Sequence, residues 1–356
     1  MRTSEALFAL IRSGLKIENA NLEGDVNWEK LYRLASEQGI IAIVSEGISQ
    51  EYEKGFAVDN LNTTLRLRFV GGLIGAEQSF QALWQSATHL AELYHEHGIR
   101  IFGLKGFVTS SFYPKPNQRA FCDFDCFLSD FCKGNELVER LGIDVSGSYK
   151  HATFNFEDIH VENHQFCTHF RGRKKAYQFE MLLQKYLKNE TIECLGDSFI
   201  EKPSPIFNAL LLTHHARSHF FDERVSLRQV VDWAMLMKYY GRDGVDWNDF
   251  EIICQEYGLL PFAQTMSRVA GKICHVELPF ESPSNDFLDN MLIDDVFSDA
   301  QKHVEYGTGM KARWQILRNK YNARWKYRYF SDQTFASALW QQIWGVISDY
   351  APHRQS

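Results

Sequence analysis

The sequence predicts an α+β fold, with a small mixed sheet held between two helical regions. Three observations predict it. Apolar residues recur at helical spacing from Trp28 to about Tyr94, the pattern switches to short strands after Gly98, and helical spacing returns from Ile206 to the end. The expected organisation is an N-terminal helical region over residues 1–94, a mixed-sheet core over 95–202 and a C-terminal helical domain over 203–356.

Taken in order, MRTSEALFALIRSG reads as an amphipathic helix, because Glu5 interrupts its apolar run and no small-residue cleavage site follows. NWEKLYRLASEQGIIAIVSEGI and SFQALWQSATHLAELYHEHG continue the helical pattern, with Gly39 and Gly98 placed as C-terminal stops. IRIFGLKG is then a short strand entering a glycine turn, and AFCDFDCFLSD is a second strand whose alternate positions are Asp. Between them VTSSFYPKPNQR carries two prolines, which end any helix begun after Gly106. DFCKGNELVERLG is a helix. YKHATFNF and IHVENHQF form a hairpin around Glu157-Asp158, which sets Glu162 opposite Thr153, His164 opposite His151 and Phe154 opposite Val161. KPSP reads as a linker, and FNALLLTHHARSHF, VSLRQVVDWAMLMKYYG and WNDFEIICQEYG are helices beyond it.

The 356-residue chain is 45% hydrophobic and has a net charge of -7. That balance excludes disorder and argues against general attraction to long nucleic acids or anionic membranes. No stretch reaches the roughly 20 apolar residues that span a bilayer. The cysteines at 122, 126, 132, 167, 194, 254 and 274 are odd in number and form no CxxC pair, as expected of reduced thiols in a cytoplasmic protein.

Two positions carry the chemistry in the first strand pair. Asp123 and Asp125 are two apart in a strand, so their carboxylates share a face, while Phe124 and Phe127 turn towards the core. Paired carboxylates repel unless a cation lies between them, and Mg²⁺ takes hard oxygen ligands while leaving positions for phosphate oxygens. In the hairpin, alternation puts His160, Glu162 and His164 on one face. Either this is a solvent-facing polar strand or it completes a site with the aspartates.

The string LKGFVTSSFYPKPNQRAFCDFDCFL resembles the signature of the uncharacterised nucleotidyltransferase family, of the DNA polymerase β type: Leu-Lys-Gly, a Tyr-Pro turn, an Arg and an Asp-x-Asp strand. IHVENH is similar to that family's Glu-x-His strand, and SLRQVVDWAML with VDWNDF to its helical segments. The resemblance implies Asp123, Asp125 and Glu162 as catalytic, metal-holding carboxylates for one or two Mg²⁺ or Mn²⁺ ions, two being about 3.5 to 4 Å apart. It implies a nucleoside triphosphate such as ATP as donor and a hydroxyl on an unknown acceptor, a small molecule, sugar or protein, with nucleic acid disfavoured by the acidic charge. Lys105, Gly106 and Arg119 become nucleotide-binding candidates, with His160 and His164 accessory. The superfamily's usual Gly-Ser pair is here Lys105-Gly106, where Gly would let the backbone approach a triphosphate and Lys would give it a point charge.

Two rivals stand beside this reading: a nucleotide-binding scaffold without turnover, and a hydrolase holding Zn²⁺ or Mn²⁺ on His160, Glu162 and His164. Arg228 and Asp232, four apart, read as an ion pair. The basic run Arg171, Arg173, Lys174, Lys175 reads as a solvated loop, and RWQILRNKYNARWKYRYF as packing rather than nucleic-acid binding.

Overall fold

A computed structural model describes residues 2–22, 24–53, 60–170, 173–187, 193–298, 318, 321–331, 333–337 and 339–340. Four helices come first: α1 (Thr3–Gly14), α2 (Trp28–Glu37), α3 (Ile41–Glu53) and α4 (Thr63–Glu96). Gly39 and Gly98 both adopt left-handed backbone, φ +67° and +69°, and end their helices as expected. The helices α1 and α3 cross at two glycines. A Cβ on Gly14 would lie 2.0 Å from the Ile43 carbonyl oxygen, and one on Gly47 would lie 2.2 Å from that of Leu10, so the backbones touch only because neither residue has a side chain.

The sheet follows. Its strands are β1 (Ile101–Gly103), β2 (Asp123–Leu128), β3 (Ser146–Gly147), β4 (His151–Phe156), β5 (Ile159–His164), β6 (Glu193–Cys194) and β7 (Ile200–Lys202), in the order β3-β4-β5-β2-β1-β7-β6. The strand β2 is therefore central. It pairs antiparallel with β1 and parallel with β5, which makes the sheet mixed. The hairpin β4–β5 has the register read from its turn, with Glu162 across from Thr153 and His164 across from His151. Phe124 and Phe127 are both buried although alternation puts them on opposite faces, so both sides of β2 are covered near its end.

Two short helices complete this part, α5 (Lys105–Ser110) and α6 (Phe131–Arg140), with α7 (Lys174–Leu187) behind the hairpin. The helix before the two prolines starts on Lys105 itself, one residue ahead of the glycine. Residues 202–205 are not a linker. Lys202 is the last residue of β7, and Ser204 caps the next helix by accepting from the Phe207 N–H, so sheet passes to helix within two residues. That helix is α8 (Pro205–Asp222), followed by α9 (Leu227–Tyr240), α10 (Trp247–Glu256), α11 (Leu260–Cys274) and α12 (Asp286–Phe297). The aromatic side chains of Phe107, Phe124, Phe207, Phe220, Phe250 and Phe262 belong to one continuous apolar cluster that runs from the sheet through these helices.

Lys174 and Lys175 open α7 rather than a loop, and Arg171 lies outside the described residues. Of the basic-aromatic C-terminal stretch, Arg324–Phe330 is a helix that packs: Phe330 is buried and Lys326 Nζ pairs with Asp295 at 2.7 Å. Residues 313–317, 319 and 320 lie outside the described residues. Among the described residues no helix is long and apolar enough to cross a membrane.

Candidate functional site

The strand β2 carries Asp123 and Asp125 on one face, and its parallel neighbour β5 places Glu162 beside Asp125 and His164 beside Phe127. Side-chain oxygens of Asp123, Asp125 and Glu162 all come within 4.8 Å of one another. Two segments distant in sequence thus converge on one sheet surface. The carboxylate set fits a hard divalent cation in both ligand type and spacing.

Lys105 enters the same group. The Leu104 N–H donates to the Asp125 carbonyl at 2.9 Å, which ties the end of β1 to β2, and Lys105 Nζ forms an ion pair with the Asp125 carboxylate. Its backbone sits at φ +45°, a left-handed conformation that costs a non-glycine residue on the order of 1–3 kcal/mol. His164 Nε2 approaches the same Asp125 oxygen at 2.7 Å and Glu162 Oε2 at 3.5 Å, while its Nδ1 faces the Phe166 carbonyl at 3.4 Å.

These contacts set the charges apart. Burial favours the neutral acid at Asp125, but the Lys105 ammonium and the His164 hydrogen bond outweigh it and hold the carboxyl well below the usual range. Asp123 moves the other way, raised by burial and then by the neighbouring Asp125 charge. The hydrogen bond from His164 lowers Glu162 against burial and Asp125. Burial disfavours the Lys105 ammonium, yet Asp125, Glu162 and Asp123 together keep its affinity for the proton above the ordinary value. Like charges held this close call for a cation, and one ammonium already answers part of that demand.

The remaining candidates divide. At Gly106 a Cβ would lie 2.4 Å from Arg119 Nη1, so a side chain there would displace the Arg119 fork. Arg119 is buried and its fork is committed, with Nε donating to Asp232 Oδ1 at 3.0 Å and Nη2 to Oδ2 at 2.7 Å. Tyr113 donates its hydroxyl to the same Asp232 at 2.6 Å, so the Tyr-Pro turn and the Arg both fasten to α9. The expected Arg228–Asp232 pair does not form, because Arg119 and Tyr113 fill that carboxylate. Arg228 Nη1 instead donates to the Ala120 carbonyl at 3.1 Å. His160 is exposed and bonds Asn155 at 3.1 Å, outside both clusters of possible metal ligands. In its stead His151 comes within 4.8 Å of Glu162 and His164.

Sequence reasoning missed a cleft of about 400 Å³ beside Lys105 and Gly106, walled by α8, α9 and the α2–α3 turn. Part of its signal was present: His215 and His219 in LTHHARSH are four apart and so share a helix face. Another hollow, about 290 Å³ and lined by Ile17, Lys238 and His275, shares no residue with the carboxylate cluster.

No curated protein and no solved structure matches the chain. One family does, over residues 24–275, more than half of the chain and including every carboxylate of the cluster. The chain belongs to the uncharacterised nucleotidyltransferase family, a family of enzymes whose reaction class is nucleotidyl transfer.

Proposed function

We propose that the protein transfers a nucleoside monophosphate from a nucleoside triphosphate to a hydroxyl on a small molecule, sugar or protein, with Asp123, Asp125 and Glu162 as its catalytic carboxylates. The observation that supports this most is the convergence of those three side chains, from β2 and β5, within 4.8 Å. A Mg²⁺ or Mn²⁺ ion held by them would neutralise phosphate charge and supply Lewis acidity at the reacting phosphorus.

In the reaction the acceptor oxygen bonds to the α-phosphorus, the bond to the pyrophosphate oxygen breaks, and pyrophosphate leaves with that electron pair. Glu162, held by His164 at 3.5 Å and free of the Lys105 ion pair that confines Asp125, takes the hydroxyl proton. Lys105 positions Asp125 and places a fixed positive charge where phosphate oxygens gather. His164 orients Asp125 and Glu162 from beneath, as a group that fixes metal ligands does. Arg119, its fork bound to Asp232, positions the Gly106 turn rather than touching phosphate. All seven cysteines are free, which suits a cytoplasmic location.

A second reading is favoured by one observation, the grouping of His151, Glu162 and His164, whose ligand atoms would suit Zn²⁺ in a hydrolase. Metal analysis of the purified protein separates the two, since tightly held zinc in equimolar amount supports the hydrolase. The direct test of transfer is incubation of a cell extract with the protein, Mg²⁺ and each triphosphate labelled at the α-phosphorus. A labelled product that depends on the protein supports nucleotidyl transfer, and release of label only as free nucleoside monophosphate contradicts it.

A further inference from the structure

The cleft beside Lys105 is built from groups that neutral packing does not call for. Arg224 and Arg228 line it, each donating to a backbone carbonyl, of Ser298 at 2.9 Å and Ala120 at 3.1 Å, and among the described residues neither is in an ion pair. Two guanidinium groups thus line the cleft tied to backbone carbonyls, with Asp295 near enough to Arg224 to feel its charge but in no ion pair with it. On the opposite wall His215 and His219 stand one helical turn apart with ring centroids 4.6 Å from each other, and neither has a hydrogen-bond partner among the described residues.

Thr213 gives an independent sign. It lines the cleft, is 3% exposed, and its Oγ1 has no hydrogen-bond partner among the described residues. A buried hydroxyl left unpaired is costly, and a bound acceptor oxygen would remove that cost. The acidic residues of the lining do not cancel the cations. Glu37 and Glu223 are exposed to solvent, and Asp232 is already neutralised by Arg119.

We infer that this cleft holds the triphosphate of the nucleotide donor, with Arg228 and Arg224 on one side and the Thr213 hydroxyl and the His215 and His219 imidazoles on the other. The inference rests on the nucleotidyl-transfer reading and adds to it a phosphate-binding wall outside the sheet. The cleft takes in Lys105 and Gly106 but none of the three carboxylates, and Lys105 pairs with Asp125, so the β- and γ-phosphates would lie in the cleft with the α-phosphorus at its carboxylate edge. Phosphate oxygens accept hydrogen bonds from every one of these groups, whereas a neutral sugar would leave the two guanidinium charges unmatched.

Calorimetric binding of the four nucleoside triphosphate analogues carrying a methylene between the α and β phosphorus atoms, with Mg²⁺, tests it. Wild-type protein binds at least one of them, Arg228→Gln binds it about tenfold or more weakly and Thr213→Val about threefold more weakly, while Glu136→Gln, exposed on α6, is unchanged. Inorganic tripolyphosphate competes with the analogue. Hydrogen exchange of the wild-type chain, which needs no variant to fold, shows protection over 213–219 and 226–229 on binding. Tight analogue binding that is indifferent to Arg228→Gln, or protection that spares both segments, overturns the inference and leaves nucleotidyl transfer standing. Absence of binding by every analogue overturns both.

Discussion

Lys105 Nζ is ion-paired with Asp125, the most confined carboxylate of the cluster, and His164 Nε2 lies 2.7 Å from the same oxygen. A fixed ammonium therefore stands where a divalent cation would share ligands, and the two compete. At an effective dielectric of ~20 a like charge about 4 Å away opposes an incoming cation by about 4 kcal/mol per unit charge, before either moves. Lys105→Met is accordingly expected to bind Mn²⁺ tenfold or more tightly in the absence of nucleotide, while transferring more slowly. Titration followed by electron paramagnetic resonance measures it, and an unchanged affinity would show that the ammonium and the metal do not share a position.

His164 is buried and touches two of the three carboxylates, so its loss should loosen both. His164→Asn is expected to lower metal affinity by about 10–100-fold, the usual effect of removing a group that orients metal ligands. The decisive readout is a fall in kcat with little change in KM for the nucleotide. A rise in KM alone would place His164 in nucleotide binding instead.

Arg119 and Asp232 form a bidentate pair with both side chains at least nine-tenths hidden from water. Breaking a buried pair strands the partner's charge, so Arg119→Met or Asp232→Leu alone should cost about 3–5 kcal/mol of stability in urea unfolding. The double substitution should cost less than the sum of the two. Additive losses would mean that each side chain has a separate role, with phosphate contact the candidate for Arg119.

Glu46 of α3 accepts from Lys115 at 2.7 Å and Gln118 at 2.9 Å, and so pins the proline turn that precedes β2. Burial raises its carboxyl, but the hydrogen bonds from Lys115 and Gln50 prevail and the net position is below the ordinary one. The sign follows from that: a depressed folded value stabilises the fold fully above the unfolded pKa, about 4.3, and the contribution is lost as pH falls through the folded value. Glu46→Gln should flatten this part of the acid unfolding curve. A variant with the same acid midpoint and slope as wild type would rule the contribution out.

Much of this site could be read from the chain. Strand parity put Asp123 and Asp125 on one face, and the two-residue turn at Glu157-Asp158 fixed the hairpin register through His164. Both are local rules of β geometry. The parallel pairing of β5 with β2, which brings Glu162 to Asp125, joins residues 37 apart in sequence, and the motif resemblance rather than periodicity anticipated it. Parity was too coarse for the histidines: His160 and His164 share a face, but His160 pairs with Asp123 at the exposed end of its strand, and His151 of β4 stands nearer Glu162. The helical spacing of Arg228 and Asp232 was real, yet a buried carboxylate took the partners that reached it from the sheet, Arg119 and Tyr113. The cleft arises where α8, α9 and the α2–α3 turn meet, and no single segment encodes that meeting.

The central claim is that three carboxylates act together on a nucleoside triphosphate. Pyrophosphate release from the preferred triphosphate and acceptor, measured with Mg²⁺ for wild type and for Asp125→Asn of unchanged circular dichroism, tests it most directly. The account predicts metal-dependent release that falls by several kcal/mol in barrier height, on the order of 1000-fold, in the variant. Release by Asp125→Asn at the wild-type rate, or wild-type release indifferent to chelation of the metal, would contradict it.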